Sequence, residues 1–473
     1  MKKLLILILF GCILLPGYAQ RNVPVYRSVA DSVRYVEVSS TLEVFSKERN
    51  YKYETAEDKR IVDSLRLLHF KVRSEAIIGY RAVYDPNLNF TQLSELSSTD
   101  NAKVTRLSIS DYKQRRLPKA VFSCRNLQEL ELVNTKIDKL PRKLKKMKGL
   151  NKVYVYNHRS QKALRIARNK SIRTLIVKGG NEDKLPTSYK SLKALHKLDL
   201  SNNFITHFPH ISKNKNLDEL ILKGNQLTLN DKKVKPNARL TQLDLQANRI
   251  TQVPAWIGEF DNLYKLLFNH NKITEVDDNI QKLQKLRELS FYRNELKEIP
   301  AGVYQLKNLS NIDLYFNQIE TIEPAIGQLK ALEVLYLSNN RIFILPEEIG
   351  ELQVLKELYI HNNRLSFLPE SIAKLKQLEV LRMNNNSFTS FPLPVLQLTQ
   401  LENLDVSRNN LQELPLDLAS FNNLQLFSVV DNPIDKNFYE KLQQMKDTMR
   451  ANGTIVHMNS LQKDLEKIEV ENR

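Results

Sequence analysis

Apolar residues recur along most of this chain on a fixed count of 23. The stretch LEVLYLSNNRIFILPEEIGELQV (332–354) is followed by LKELYIHNNRLSFLPESIAKLKQ (355–377) and LEVLRMNNNSFTSFPLPVLQLTQ (378–400). The unit reads L-x-x-L-x-L-x-x-N-x-L-x-x-L-P-x-x-I-x-x-L-x-x. In L-x-L the two apolar side chains share one face and the residue between them takes the other, which predicts one short strand per unit. The I-x-x-L spacing after the L-P pair predicts a short helical or 3-10 turn. A single unit cannot bury its own apolar face, so stacked neighbours must supply the core.

The Asn position is filled by Asn203, Asn225, Asn248, Asn271, Asn294, Asn317, Asn340, Asn363, Asn386, Asn409 and Asn432. The frame runs back through Tyr112, Thr135, His158 and Gly180, giving fifteen units whose first apolar positions extend from Val104 to Leu424. An Asn directly after a strand can bond otherwise unpaired backbone groups of the turn and of the neighbouring coil, which predicts a structural role. Fifteen strands at about 4.8 Å spacing would form an arc of roughly 70 Å.

This pattern resembles the leucine-rich repeat family. The 23-residue unit with its LP-x-x-I-x-x-L segment is similar to the Ras-suppressor and Scribble-like class, also common in bacterial exported proteins. The resemblance implies an α/β solenoid: a horseshoe of about fifteen repeats with a parallel concave sheet and N-terminal and C-terminal caps. It also implies that ligands bind the concave strand surface.

The repeats occupy 101–432, leaving 1–19, 20–100 and 433–473. The opening MKKLLILILFGCILLPGYAQ has a basic start, an apolar run from Leu4 to Leu15, a break at Pro16-Gly17 and small residues at Gly17 and Ala19. This pattern predicts a secretory signal of bacterial type cut after Ala19. The apolar run is too short to span about 30 Å of hydrocarbon as a helix, so no membrane span is expected once the signal is removed. Leu9-Phe10-Gly11-Cys12 resembles a lipobox, which leaves a lipoprotein signal as the alternative. Export to periplasm, outer surface or medium follows. An open solenoid exposes its core at both ends, and the flanking segments are expected to cap it. Residues 23–45, rich in Val and Tyr, are compatible with strand. Thr55 starts a predicted helix through Ile61, Val62, Leu65, Leu68 and Val72, and Leu88, Leu93 and Leu96 suggest a second short one. Asn437 to Ala451 reads as an amphipathic helix closed by Gly453, and Thr454 to Met458 as an edge strand. Two units are irregular. The segment 159–173 of unit three reads as a longer helix, and 227–240 of unit six as a polar loop.

The 473 residues carry 71 Lys+Arg against 53 Asp+Glu, a net +18. The excess is local: residues 101–200 hold 26 basic and 7 acidic side chains, while 21–100 balance at 12 each. Arg142, Lys143, Lys145, Lys146, Lys148, Arg159, Lys162, Arg165, Arg168, Lys170 and Arg173 fall on segments leading away from the strands. Such a face is either simply solvated or a binding site for a polyanion, such as an anionic envelope glycolipid or an acidic glycan. Nucleic acid is not expected as a partner of an exported chain.

Large aromatics have no packing reason to occupy the outward positions of a strand. Units nine to thirteen place there Tyr292, Arg293, Asp313, Tyr315, Phe316, Tyr336, Tyr359, His361 and Arg382. Tyr and Arg dominate binding hot spots, so these residues are the expected site for a protein or glycan ligand. Cross-strand stacking that only stabilises the sheet is the competing explanation. A smaller patch comprises Tyr154, Tyr156 and Ile176.

Catalysis is not expected. There is no G-x-S-x-G elbow, P-loop or H-E-x-x-H sequence. His207-Phe208-Pro209-His210 falls at an L-P turn without an evident ligand set, so neither metal nor cofactor is expected. With Cys12 in the signal, Cys124 remains alone. It aligns with the inward Leu352, which predicts a core residue and excludes a disulfide framework. A non-enzymatic binding scaffold is the expected function.

Overall fold

Leucines at alternating strand positions leave each unit with one apolar edge, and stacking those edges generates a single long sheet. In the computed structural model, the described residues are 21–26, 77–83, 90–180, 183–232 and 234–458, the first two segments by backbone alone. The sheet has seventeen parallel strands. Each of the fifteen units supplies one, from Arg106–Ser110 in unit one to Leu426–Ser428 in unit fifteen. Thr91–Gln92 adds a strand before unit one, and Ile455–His457 adds one after unit fifteen. No pairing among the described residues joins the first strand to the last, so the sheet is an open arc: an α/β solenoid horseshoe.

Register is uniform because the repeat is. Leu289 pairs with Ile312, Ile312 with Leu335, Leu335 with Leu358 and Leu358 with Leu381. These inward residues are fully buried. The return legs carry 3-10 turns, such as Glu347–Glu351 and Glu370–Lys374, each starting after the L-P pair. Proline fixes φ there and has no N–H to leave unpaired. Successive turns pack closely. A Cβ on Gly302 would lie 2.7 Å from the Asp278 carbonyl oxygen, which explains a residue without a side chain at that point.

The asparagine ladder ties unit to unit. Asn317 Nδ2 donates to Leu314 O in its own unit (3.0 Å) and to Phe291 O in the preceding one (3.0 Å). Its Oδ1 accepts from the Leu296 backbone N–H at 3.1 Å. The donor pattern recurs from Asn203 to Asn432. A buried amide thus meets its own hydrogen-bonding needs and those of backbone groups that no strand pairs.

At the C-terminal end, helix α1 (Tyr439–Ala451) buries Leu442, Met445 and Met449, and the chain turns at Gly453 (φ +90°) into the last strand. At the other end, 3-10 turn Leu93–Ser97 follows the first strand, with Gln92 and Glu95 forming a capping box. Arg21–Tyr26 pairs antiparallel with Ile77–Val83. The signal segment, Cys12, Leu88 and the helix expected from Thr55 lie outside the described residues.

Two expectations are corrected. Residues 159–173 contain no helix. Arg165–Ile166 instead forms a two-residue strand beside Lys139–Leu140. Leu164 and Ile166 are buried two residues apart, a strand spacing, and Asn169 Oδ1 then accepts from the Ser171 and Ile172 backbone N–H groups. His207 also has a carboxylate near it: Asp231, from the irregular loop of unit six, lies 3.1 Å from Nδ1. No group of three or more His, Cys, Asp or Glu able to hold a metal occurs among the described residues. Cys124 is a free, buried core residue, and burial pushes its thiol pKa up.

Candidate functional site

Backbone geometry decides which residues stand on the concave side of the arc. In all fifteen units the residue immediately before the ladder position has positive φ, between 52° and 68°. That left-handed conformation costs an ordinary side chain energy and suits Gly, Asn or Asp. Ten of the fifteen units comply, including Asn339, Asn362 and Asn385. Five units do not: units seven to ten carry Ala247, His270, Arg293 and Phe316, and unit fourteen carries Arg408. A bulky ring at φ +57° and a guanidinium-bearing residue at +55° are backbone outliers that the fold itself does not require.

His270, Arg293 and Phe316 sit in one aromatic cluster, while Arg408 lies apart, paired with Asp431 at 3.2 Å. The Tyr292 and Tyr315 rings stack with centroids 5.6 Å apart, and Phe316 stands edge-on to Tyr315 at 4.6 Å. Arg293 lies over the Phe316 ring at 4.8 Å and donates from Nε to the Tyr292 hydroxyl at 3.0 Å. His361 adjoins Tyr315 at 5.7 Å and shares a 2.8 Å hydrogen bond with Ser338. One row over, Tyr336 and Tyr359 stack at 4.6 Å, with Arg382 6.0 Å from the Tyr359 ring. Tyr336 and Tyr359 are in-register strand neighbours. The structure therefore gathers Tyr292, Arg293, Tyr315, Phe316, Tyr336, Tyr359, His361 and Arg382 on one face. Asp313 joins them, accepting from Ser290 Oγ at 2.9 Å and from the Tyr315 backbone N–H at 3.1 Å.

The electrostatics follow from partial burial. Desolvation raises the Asp313 carboxyl and the Tyr315 and Tyr336 hydroxyls above their ordinary values. Tyr359 is raised by desolvation and by its hydroxyl's 2.8 Å bond to Glu357. Desolvation and nearby Arg382 lower the His361 imidazole, and desolvation with Arg293 lowers that of His270. The face is thus a set of neutral rings between two cations. A depression of about 220 Å³ lies beside it, lined by Leu267, Asn269, Ser290, Asp313 and Tyr336 among others. It is open and below the size that encloses most small-molecule ligands. The arrangement can stack, donate and accept hydrogen bonds, and attract anionic groups.

Two members escaped sequence reasoning. His270 packs edge-on to Tyr292 at 5.0 Å, and Glu357 holds the Tyr359 hydroxyl. The spacing of 23 that links His270, Arg293 and Phe316 in one column was the available signal. The smaller patch offers less surface: Tyr156 is buried and Tyr154 half-buried. The basic residues Arg142, Lys143, Lys145, Lys146, Lys148, Arg159, Lys162, Arg165, Arg168, Lys170 and Arg173 are all exposed, on the legs outside the main sheet.

The family model described as "Leucine rich repeat" matches residues 284–342 and 330–388. The fold is similar to that of a leucine-rich repeat protein of Leptospira interrogans, with 26% identity over 78% of this chain and 100% of that one, TM-score 0.63. An internalin of Listeria monocytogenes is similar at 19% identity over 76% of this chain and 88% of that one, TM-score 0.53. So is the ectodomain of the receptor kinase GASSHO1/SCHENGEN3 of Arabidopsis thaliana, solved in complex with CASPARIAN STRIP INTEGRITY FACTOR 2. There the identity is 21% over 75% of this chain and 46% of that one, TM-score 0.50. No curated protein matches the chain in sequence.

Proposed function

The chain is a leucine-rich repeat protein, and we propose that it is a non-enzymatic binding scaffold whose concave face, from Tyr292 to Arg382, holds a protein ligand. Leucine-rich repeat folds commonly act as protein-binding scaffolds. The observation that carries the reading is Phe316 and Arg293 at left-handed backbone positions. Ten other units fill that position with Asn, Asp or Gly, so a ring and a guanidinium there favour presentation over backbone ease. Rigid aromatic anchors flanked by arginine are the residue set that concentrates binding energy at interfaces. The open shape of the face suits a protein surface, and the Arabidopsis ectodomain was solved in complex with CASPARIAN STRIP INTEGRITY FACTOR 2. A glycan stacked on Tyr336 and Tyr359 is the alternative occupant.

The opening residues support export, so the partner belongs to the envelope or the extracellular fluid. No helix among the described residues is long and apolar enough to cross a membrane. The test is capture from those two sources by the mature protein and by a Tyr336→Ala, Tyr359→Ala variant. Both side chains lie on the sheet surface, so the variant is expected to fold and to lose the partner. Equal recovery of the partner by a folded variant would remove the concave site.

A further inference from the structure

The return legs of units one to three carry a pattern that later units lack. Arg116-Leu117-Pro118-Lys119, Lys139-Leu140-Pro141-Arg142 and Arg165-Ile166-Ala167-Arg168 each bracket one buried apolar residue between two exposed cations. Arg116 is bridged in register to Lys139, and Lys139 to Arg165. Parallel neighbours stand about 4.8 Å apart, so these three form one row. Lys119, Arg142 and Arg168 follow three residues further along each leg and form a second. The corresponding positions of later units hold Glu298 and Ala301, Ile344 and Glu347, Phe367 and Glu370 or Glu413 and Leu416.

Like charges placed side by side on neighbouring strands destabilise a sheet. Neutralising carboxylates would remove that penalty, and here they are elsewhere. Of the four acidic residues in 101–173, Glu129 is taken up on the strand face by Lys152 at 3.0 Å and Arg106 at 3.5 Å. Glu131 is buried beside Ser108, and Asp111 meets Arg159 at 3.8 Å. Asp138 alone adjoins the rows, and none of the six cations has a carboxylate within 4.0 Å among the described residues.

We infer that this double row is a binding site for a linear acidic polysaccharide, lying along the stack with its sulfate or carboxylate groups on the cations. Charge at a regular step is what the face offers. Among the described residues of units one to four the aromatic rings are buried or half-buried, and Phe122, the ring beside the rows, lies under Lys143 at 4.5 Å, so nucleobases find no open stacking platform. Nor is any large apolar side chain exposed there to enter a lipid surface. The site lies on the outer legs, away from the concave aromatic face, so the two ligands need not compete.

The test uses the mature protein with heparin oligosaccharide as the probe, beside duplex DNA and vesicles of phosphatidylglycerol and phosphatidylcholine. An Arg116→Gln, Lys139→Gln, Arg165→Gln variant is compared with a charge-matched Lys282→Gln, Lys307→Gln, Lys374→Gln variant from exposed positions of later units. The row variant is expected to lose at least about tenfold in heparin affinity, and the control less than about twofold, with parent binding falling steeply as salt rises. Melting of the row variant should equal or exceed that of the parent, because removing stacked like charges cannot weaken the sheet. Equal loss in both variants, or none in the row variant, would overturn the site. Tighter binding of the DNA or of the vesicles than of heparin would overturn the glycan assignment.

Discussion

Replacing Phe316 by Asn separates recognition from sheet stabilisation. Its ring is 37% exposed, touches Tyr315 edge-on at 4.6 Å and lies under Arg293 at 4.8 Å. Losing its edge-on pairs with Tyr315 and, at 6.1 Å, Tyr292 removes about 1–2 kcal/mol in all. Losing the exposed cation–π contact removes about 0.5–1 kcal/mol. Two gains oppose these. Asn tolerates φ near +57° far better than Phe, which returns about 1 kcal/mol of backbone strain. The second gain concerns Asn339, whose buried Nδ2 adjoins the Tyr315 hydroxyl but finds no acceptor on the preceding unit's ladder. In the units beyond, Asn362 Nδ2 donates to Asn339 Oδ1 at 3.2 Å, and Asn385 repeats this on Asn362. Phe316→Asn extends that ladder by one step and gives Asn339 Nδ2 an acceptor, worth about 0.5–1.5 kcal/mol. The contributions cancel to within about 1 kcal/mol, so thermal unfolding should shift by no more than about 3 °C while partner capture is lost. A fall above about 6 °C would show that the ring holds the sheet together, and the strain argument for a binding face would fail.

Other perturbations probe the scaffold and its ionisation. Asn317→Ala strands the Leu296 N–H and the Phe291 and Leu314 carbonyls, and should cost about 3 kcal/mol or more in denaturant unfolding; a loss under about 1 kcal/mol would refute the ladder's role. Gly302→Ala forces a Cβ to within 2.7 Å of the Asp278 oxygen and should cost about 1–3 kcal/mol; an unchanged melting temperature would mean that the turns slide apart freely. Lowered His361 and His270 pKa values mean that the unfolded chain takes up protons first. Their contribution to stability is complete above about pH 6.5 and is lost as pH falls through the folded values. A His270→Gln, His361→Gln variant should therefore melt with a shallower pH dependence below 6.5 than the parent, and coincident profiles would contradict the assignment.

The parallel register was legible because Asn and Leu recur on one count from Asn203 to Asn432, and a count survives substitutions at single positions. The outward Tyr positions were legible from the same count, since alternation in a strand decides which side chain points away from the core. Less regular stretches misled. The segment 159–173 reads as helix by local propensity, but tertiary pairing of Arg165–Ile166 with Lys139–Leu140 outweighs it. The left-handed column was hidden because positive φ is a backbone property, and a run such as Arg293 and Phe316 does not announce it as Gly would. Charge counting found the basic segment 101–200, while the double row needed the pairing of Arg116, Lys139 and Arg165 to become visible.

Hydroxyl-radical footprinting of the protein with its captured partner tests the central claim most directly, because it reads individual rings. Binding on the concave face predicts protection of Tyr292, Tyr315, Phe316, Tyr336 and Tyr359, with Phe343 and Phe367, each 50% exposed, reacting as in the free protein. Protection of Phe343 and Phe367 with the five concave rings unchanged would contradict it.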